Sequence, residues 1–420
     1  MSMSRYSVVI FGATGFTGKH AAVEMARLVR QRPDLTWAVA GRSQARLEDL
    51  MRDVAEATDQ SHVKIIVADV NDEESLKAMC RQAQVVANCC GPYRLYGEPV
   101  VKAAVECKAH HVDVTGEPQF IETMQLKYDS LAREAGVCVI SACGYDSVPN
   151  DMGVVFLQDN FGGSTLNCTA LHCTSVHCTT LNYTTLYCTV LHCTTIYYTA
   201  VYCTALYGII LQCTLWHCIA LHCTFRSGVI HRIGSRWAVP FPGADNSVVY
   251  RSQRHMFETQ ARRPVHFRAY LQLEGLLQAI MLIVGAAVLF LMTRWQYTRS
   301  LLVSHPRVFS AGYISRAGPP RAVAEGTTFR VELVGVGWEK ADPTGPCDKR
   351  MVARVSGTNP GYGATALALL QCALTLLDEP DKLPDKGGVL TTAAAFRNTR
   401  LIQKLNENGI KFEIVSTTTI

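Results

Sequence analysis

The chain has 420 residues, of which 48% are hydrophobic and 18% charged, with a formal net charge of +5. That length passes the ~250–300 residues at which one hydrophobic core stops growing, so two domains are expected, and the apolar content excludes a disordered chain. No dense Lys/Arg tract and no zinc-finger spacing accompanies the small positive charge, which excludes a nucleic-acid binder. Tyr6–Phe11 is a short β-branched run, as in a strand buried on both faces. It is not preceded by a basic, then apolar, then small-residue leader, so the chain reads as not secreted and its 17 cysteines as reduced thiols. The strand ends in Gly12-Ala13-Thr14-Gly15-Phe16-Thr17-Gly18, and a helical stretch opens at Lys19. Gly12 permits the tight turn, Gly15 lets the backbone approach a pyrophosphate, and Gly18 lets the helix pack on the sheet. Gly12, Thr14, Gly15, Phe16, Thr17 and Gly18 are therefore read as cofactor contacts, with the helix N-terminus offering N–H groups to the anion.

A second strand over Thr36–Ala40 leads to Gly41-Arg42-Ser43. No acid stands there to bond a ribose 2′-hydroxyl, so Arg42 and Ser43, with Arg46 nearby, favour the 2′-phosphate of NADP(H) over NAD(H). The alternative is that Arg42 is a solvated residue at a helix start. Strand Val63–Ala68 precedes Asp69, where adenine contacts are expected, and a helix from about Asp72 to Arg81 follows. Strand Val85–Asn88 stops at Cys89-Cys90-Gly91-Pro92-Tyr93, with Cys90 and Gly91 beside the cofactor. Next come a helix over Pro99–Cys107, the run His111–Glu117, a helix over Glu122–Ala135 and a strand over Val137–Ser141. The loop Ala142–Pro149 ends this part. The alternation predicts a doubly wound parallel sheet of the Rossmann type over 1–155, joined to a second, α+β domain.

Together, GATGFTG, AGR, NCCGPY, HVDVTGEP, GYDSVPND and the C-terminal GGVLTTAAAF with GIKFEI resemble the saccharopine dehydrogenase-like oxidoreductase family. The resemblance covers about 1–163 and 237–420. It implies a nicotinamide-dependent oxidoreductase linked to lipid or glycolipid metabolism. It also implies association with membranes and lipid droplets; basic residues on both flanks of 275–293 fit their cytosolic face, and the mitochondrion is the alternative compartment.

From Asn167 to Arg226 the chain repeats in twelve pentads, NCTAL to HCTFR, and Asn160–Phe225 holds no Asp, Glu, Lys or Arg. Its nine Cys and five His recur at a uniform spacing of five, whereas metal sites need ligands that converge, so no metal is expected. Two readings remain for 156–236: a pentapeptide β-solenoid insert, or a translated tandem DNA repeat replacing the ordinary sequence of the family, which is preferred.

Residues 237–420 read as an α+β substrate and dimerisation domain, with strands near Val248–Arg251, Val265–Leu273 and Thr328–Val336 and a helix over Ala364–Leu377. Within it, 275–293 is uncharged for 19 residues and is read as contacting a lipid surface, or else as a buried core helix. For proton transfer, Tyr145 and Asp146 are the best-placed side chains, at the nicotinamide edge; His111, Asp113 and Glu117 also lie at strand ends. Asp146 could instead cap a turn, and Cys89, Cys90 and Cys143 read as packing residues. The expected activity is NADP(H)-dependent turnover of a small lipid-like carbonyl or enoyl substrate, with a homodimer as a further expectation. The alternative is a silent dinucleotide-binding scaffold.

Overall fold

The computed structural model describes residues 5–58, 63–176, 230–241, 243–309, 325–340 and 347–420. The first sheet alternates strand and helix: β1 (Tyr6–Phe11), α1 (Phe16–Gln31), β2 (Trp37–Gly41), α2 (Gln44–Thr58), β3 (Lys64–Val67), α3 (Glu73–Arg81), β4 (Ala83–Asn88), α4 (Tyr93–Glu106), β5 (His110–Asp113), α5 (Pro118–Ala135) and β6 (Cys138–Ile140). Local chemistry marks several ends. Asp72 Oδ1 accepts the N–H groups of Glu74 and Ser75 to start α3, and Gly136, at φ +70°, ends α5.

All seven strands of this sheet run parallel, in the order β13-β6-β5-β4-β1-β2-β3, where β13 is Gly388–Leu390. β1 lies between β4 and β2, so the strand order reverses beside it and a crevice opens at the carboxyl ends of β1 and β4.

Helix α6 (Val148–Asn160) leaves this sheet and packs on a second one. That sheet has the order β14-β12-β11-β7-β10-β9-β8. Its strands are β7 (Ser164–Val176), β8 (His231–Ile233), β9 (Arg236–Pro240), β10 (His266–Leu273), β11 (Thr327–Trp338), β12 (Lys349–Thr358) and β14 (Lys411–Thr419). Pairing is antiparallel except between β7 and β10. Gly153 lets α6 come close, since a Cβ there would lie 2.9 Å from Leu333 Cδ1 of β11. The remaining helices are α7 (Asp245–Gln260), α8 (Leu276–Met292), α9 (Gln296–Ser304), α10 (Pro306–Phe309), α11 (Thr365–Asp378), α12 (Thr392–Phe396) and α13 (Leu401–Glu407). One hydrophobic core runs from Val8 and Ile10 through α11 to Phe267, Phe329 and Val331 of the second sheet.

The doubly wound sheet and the α+β second half follow the sequence reading, with differences of physical interest. Val248–Arg251 is part of α7 and not a strand. Asp245, Val248, Val249, Ser252, Gln253 and Met256 are its buried residues, at helical spacing. The fourth helix starts at Tyr93, six residues before the expected Pro99, which sits inside it. Residues 275–293 are not core: in α8 only Gln278 and Ala279 are buried. The apolar stretch Pro360–Asp378 is long enough to cross a membrane but is 78% buried, and α11 within it packs against α1, β4 and β5. The first two pentads form the end of β7, a central strand of the second sheet. The rest of the repeat, from residue 177 to Arg226, lies outside the described residues.

Candidate functional site

The turn after β1 gives its three glycines different work. Gly12 has φ +76°, and a Cβ on it would lie 2.9 Å from the Cys90 nitrogen, so it packs on the loop leaving β4. At Gly18 a Cβ would run into the Gly12 carbonyl and lie 2.7 Å from Ala13 Cα, which is how α1 packs so closely on the turn. Gly15 is exposed, and a Cβ there would meet only the Gly12 carbonyl oxygen, at 3.2 Å. It is also the N-cap of α1, without a side-chain cap and with no acid in the first turn.

The first-turn N–H groups of Phe16, Thr17 and Gly18 have no acceptor among the described residues. Free N–H groups at the positive end of a helix dipole are donors of the kind that suits an anion such as a pyrophosphate. Thr14, half-buried, stands beside it.

Three further predicted contacts meet at one place. Arg42, exposed directly after β2, lowers the Cys90 thiol pKa through its charge, while Asp69 raises it; burial is the larger effect and pushes the thiol up. Ser43 caps α2, its Oγ accepting from Arg46 N–H at 3.5 Å. Asp69 Oδ1 accepts from the Asn71 backbone at 2.9 Å and so shapes its own loop. Cys90 N–H donates to Asn88 Oδ1 at 2.9 Å, which orients the stretch into Gly91.

The candidates for proton transfer mostly have structural partners. Glu117 is buried, and its two carboxylate oxygens accept from Tyr93 N–H (3.0 Å) and Arg94 N–H (3.1 Å). Asp113, fully buried, accepts from Thr115 N–H, Ala142 N–H and Ser141 Oγ, and burial pushes its carboxyl up to about 7. His111 is buried beside Asn88, its pKa lowered by burial to about 3, so it stays neutral. The Tyr145 ring lies 4.4 Å, centroid to centroid, from Phe329 of β11, and its N–H donates to Thr365 Oγ1 at 3.2 Å. Asp146 is half-buried, with Oδ2 directly on the backbone of Gly116.

Burial pushes the Cys89 thiol up to about 12 and the Cys143 thiol well above its usual range, which argues against thiolate chemistry at either. No group of three or more His, Cys, Asp or Glu side chains that could hold a metal occurs among the described residues.

Two side chains that sequence reasoning passed over also belong here. Asp245, at the start of α7, interacts with Ser147 and Asn150 beside the Ala142–Ser147 loop, and burial pushes it up to about 8. Tyr362 reaches α1 from the far end of the chain. The only signal for it was the Gly/Pro-rich run Asn359-Pro-Gly-Tyr-Gly between a strand and a helix.

Residues 8–140 match the family profile described as saccharopine dehydrogenase NADP binding domain. Over 433 aligned residues the chain is 34% identical to the human saccharopine dehydrogenase-like oxidoreductase, covering 99% of this chain and 98% of that one. The chain belongs to the saccharopine dehydrogenase-like oxidoreductase family. Its first domain is thus an NADP-binding domain. A Caenorhabditis elegans relative named lipid droplet localized protein is 37% identical over 433 residues, with 99% of both chains covered. Among solved structures, apo saccharopine dehydrogenase (L-Glu forming) from Saccharomyces cerevisiae matches 97% of this chain and 99% of its own, with a TM-score of 0.53 and 11% identity. That likeness speaks to the fold alone.

Proposed function

We propose that the chain is an NADP(H)-dependent oxidoreductase that works at a lipid surface on a lipid-like carbonyl or enoyl substrate. The observation that carries the cofactor half is the bare first turn of α1 facing Gly15, with Arg42 exposed at the end of the neighbouring strand. When bound, a reduced nicotinamide supplies the hydride. The chain's own part is to hold the pyrophosphate on α1, the 2′-phosphate at Arg42 and Ser43, and the substrate near Asp146 and Tyr145. Asp146 is the better proton-carrying candidate of the two, because Tyr145 is packed on Phe329.

The lipid half rests on α8. Leu277, Met281, Val284, Val288 and Leu291 are all exposed and recur at intervals of four and three, so they form one stripe. Seventeen residues make a helix of about 25 Å, short of the ~30 Å hydrocarbon core, which favours lying on the surface over crossing it. The lipid-droplet name of the worm relative supports the same placement. A cytosolic-face lipid droplet is the compartment that fits best.

The second reading is a dinucleotide-binding scaffold without turnover. It is favoured by one observation: Glu117 and Asp113 are both committed to holding backbone N–H groups, and His111 is buried against Asn88. Titration with NADPH and NADH tests the cofactor assignment. Arg42→Ala should weaken NADPH by about 1.5–3 kcal/mol and leave NADH nearly unchanged, because only the charge-assisted phosphate contact is lost. Equal loss for both cofactors would refute the 2′-phosphate role. Substrate-dependent oxidation of NADPH across a panel of lipid carbonyls then separates enzyme from scaffold.

A further inference from the structure

The segment joining the second sheet to α11 touches both the start of α1 and the loop after β6. It leaves β12 at Asn359, whose backbone is left-handed (φ 49°) and whose N–H donates to the Thr327 carbonyl at 2.8 Å. Pro360–Ala364 then forms a single π-helical turn, closed by the bond from Ala364 N–H to the Asn359 carbonyl at 2.9 Å. Turns of this kind, and non-glycine residues held at positive φ, concentrate at functional sites.

Tyr362 projects from this turn onto the start of α1. Its ring stacks on His20 at 5.3 Å with an interplanar angle of 21° and lies 5.9 Å from Phe16. His20 Nδ1–H in turn donates to the Phe16 carbonyl at 3.0 Å, which fixes the imidazole one turn along the helix. At the other end of the same segment, Thr365 Oγ1 donates to the Pro360 carbonyl at 2.8 Å and accepts from Tyr145 N–H at 3.2 Å. One short segment thus touches both banks of the crevice: the pyrophosphate turn and the nicotinamide-side loop.

Resting on the NADP(H) reading above, we infer that Tyr362 is a positioning residue for the cofactor's pyrophosphate. It braces the first turn of α1 from the second domain, so that the N–H groups of Phe16, Thr17 and Gly18 keep one aim. Phe16, 48% exposed, is left with one side against Tyr362 and the other open at the crevice. Neither Arg42 nor Asp69, assigned to the adenine end, takes part in any of these contacts.

Two ligands separate this role from a structural one. NADPH needs the pyrophosphate turn, whereas adenosine 2′-monophosphate carries only the adenine and 2′-phosphate end. Calorimetry on the full chain should show Tyr362→Ala binding NADPH about three- to tenfold more weakly, the loss expected for a pair of aromatic contacts. Binding of adenosine 2′-monophosphate should stay within about twofold. Tyr362→Phe, which keeps the ring, should restore NADPH binding. Unchanged NADPH affinity in Tyr362→Ala, or parallel weakening of both ligands, would overturn the proposal. Should the unaltered chain bind neither ligand, the NADP(H) reading itself fails, which is a different result. Arg42→Ala serves as the converse control and should lose adenosine 2′-monophosphate.

Discussion

Glu117 holds the start of the helix that carries Tyr93: its Oε1 accepts the Tyr93 N–H at 3.0 Å and its Oε2 the Arg94 N–H at 3.1 Å. A carboxylate from the loop after β5 thereby caps α4, twenty-four positions earlier in sequence. This also explains why α4 starts ahead of Pro99. Pro would have been the favoured first residue of a locally determined helix, but a distant cap supplies the acceptors that the earlier start needs.

Removing that cap should cost stability and not chemistry. Glu117→Ala leaves a buried N–H of Tyr93 and a half-buried N–H of Arg94 unmet and should destabilise the fold by about 1.5–3 kcal/mol, read as a shift in urea midpoint at unchanged slope. Glu117→Gln should recover part of this, since an amide oxygen still accepts one of the two bonds. Identical midpoints for Glu117→Ala and the parent chain would show that water replaces the cap.

The glycine turn should separate stability from binding. Gly18→Ala forces a methyl group into the Gly12 carbonyl and Ala13, so a loss of about 1–3 kcal/mol is expected. Gly15 has φ −76°, which alanine adopts readily, and its Cβ would meet one atom only. Gly15→Ala should therefore keep the parent stability to within about 1 kcal/mol while weakening NADPH, whose pyrophosphate would need that space. Thermal denaturation and NADPH titration on the same two variants check both halves. Intact NADPH binding in Gly15→Ala would move the anion site elsewhere.

Stability should fall as the solution becomes more alkaline across neutrality. Burial pushes Asp245 up to about 8, Asp113 to about 7 and Asp151 to about 6, against ~3.9 for an unfolded aspartate. Between about pH 4 and pH 8 these three carboxyls therefore keep protons that the unfolded chain has released. They outnumber the single proton that neutral His111 gives up on folding below about pH 6.5. The slope of unfolding free energy with pH is negative in that window and levels off above it. Urea midpoints measured from pH 5 to 9 should decline, and Asp245→Asn should flatten the last part, near pH 7–8. A flat or rising curve would mean that these carboxyls ionise in the fold as readily as in the unfolded chain.

The exposed stripe on α8 should govern lipid contact without supporting the fold. Replacing Val284 and Val288 by Glu alters side chains that face solvent, so stability should change by less than about 1 kcal/mol. Co-flotation with phospholipid vesicles, and with triacylglycerol emulsions coated by the same phospholipid, should drop sharply. Undiminished flotation would assign the lipid contact to another surface.

Much of the first domain was legible because its signals are local. Gly12, Gly15 and Gly18 between an apolar run and a helix, and Arg42 after the next strand, carry their meaning within a few residues. The second domain was less so. Val248-Val249-Tyr250 looks like a strand by β-branching, yet its neighbours Ser252, Gln253 and Met256 complete a buried helical face. Gln253 illustrates the reason, since its amide partners are Gln158 of α6 and Val265, contacts that no local pattern encodes. Likewise Tyr145 looked like a proton donor at a strand end. What its surroundings add is Phe329 and Thr365, nearly 200 residues or more away.

Strand β13 sets a timetable for biosynthesis. Gly388–Leu390 pairs with Cys138–Ile140 and closes the outer margin of the nucleotide domain, so that margin stays bare while some 250 intervening residues are translated. A nascent chain halted before residue 388 would display β6 as an open template for other chains. Ribosome-bound intermediates and truncations before residue 388 should accordingly need chaperone cover until Gly388–Leu390 has emerged.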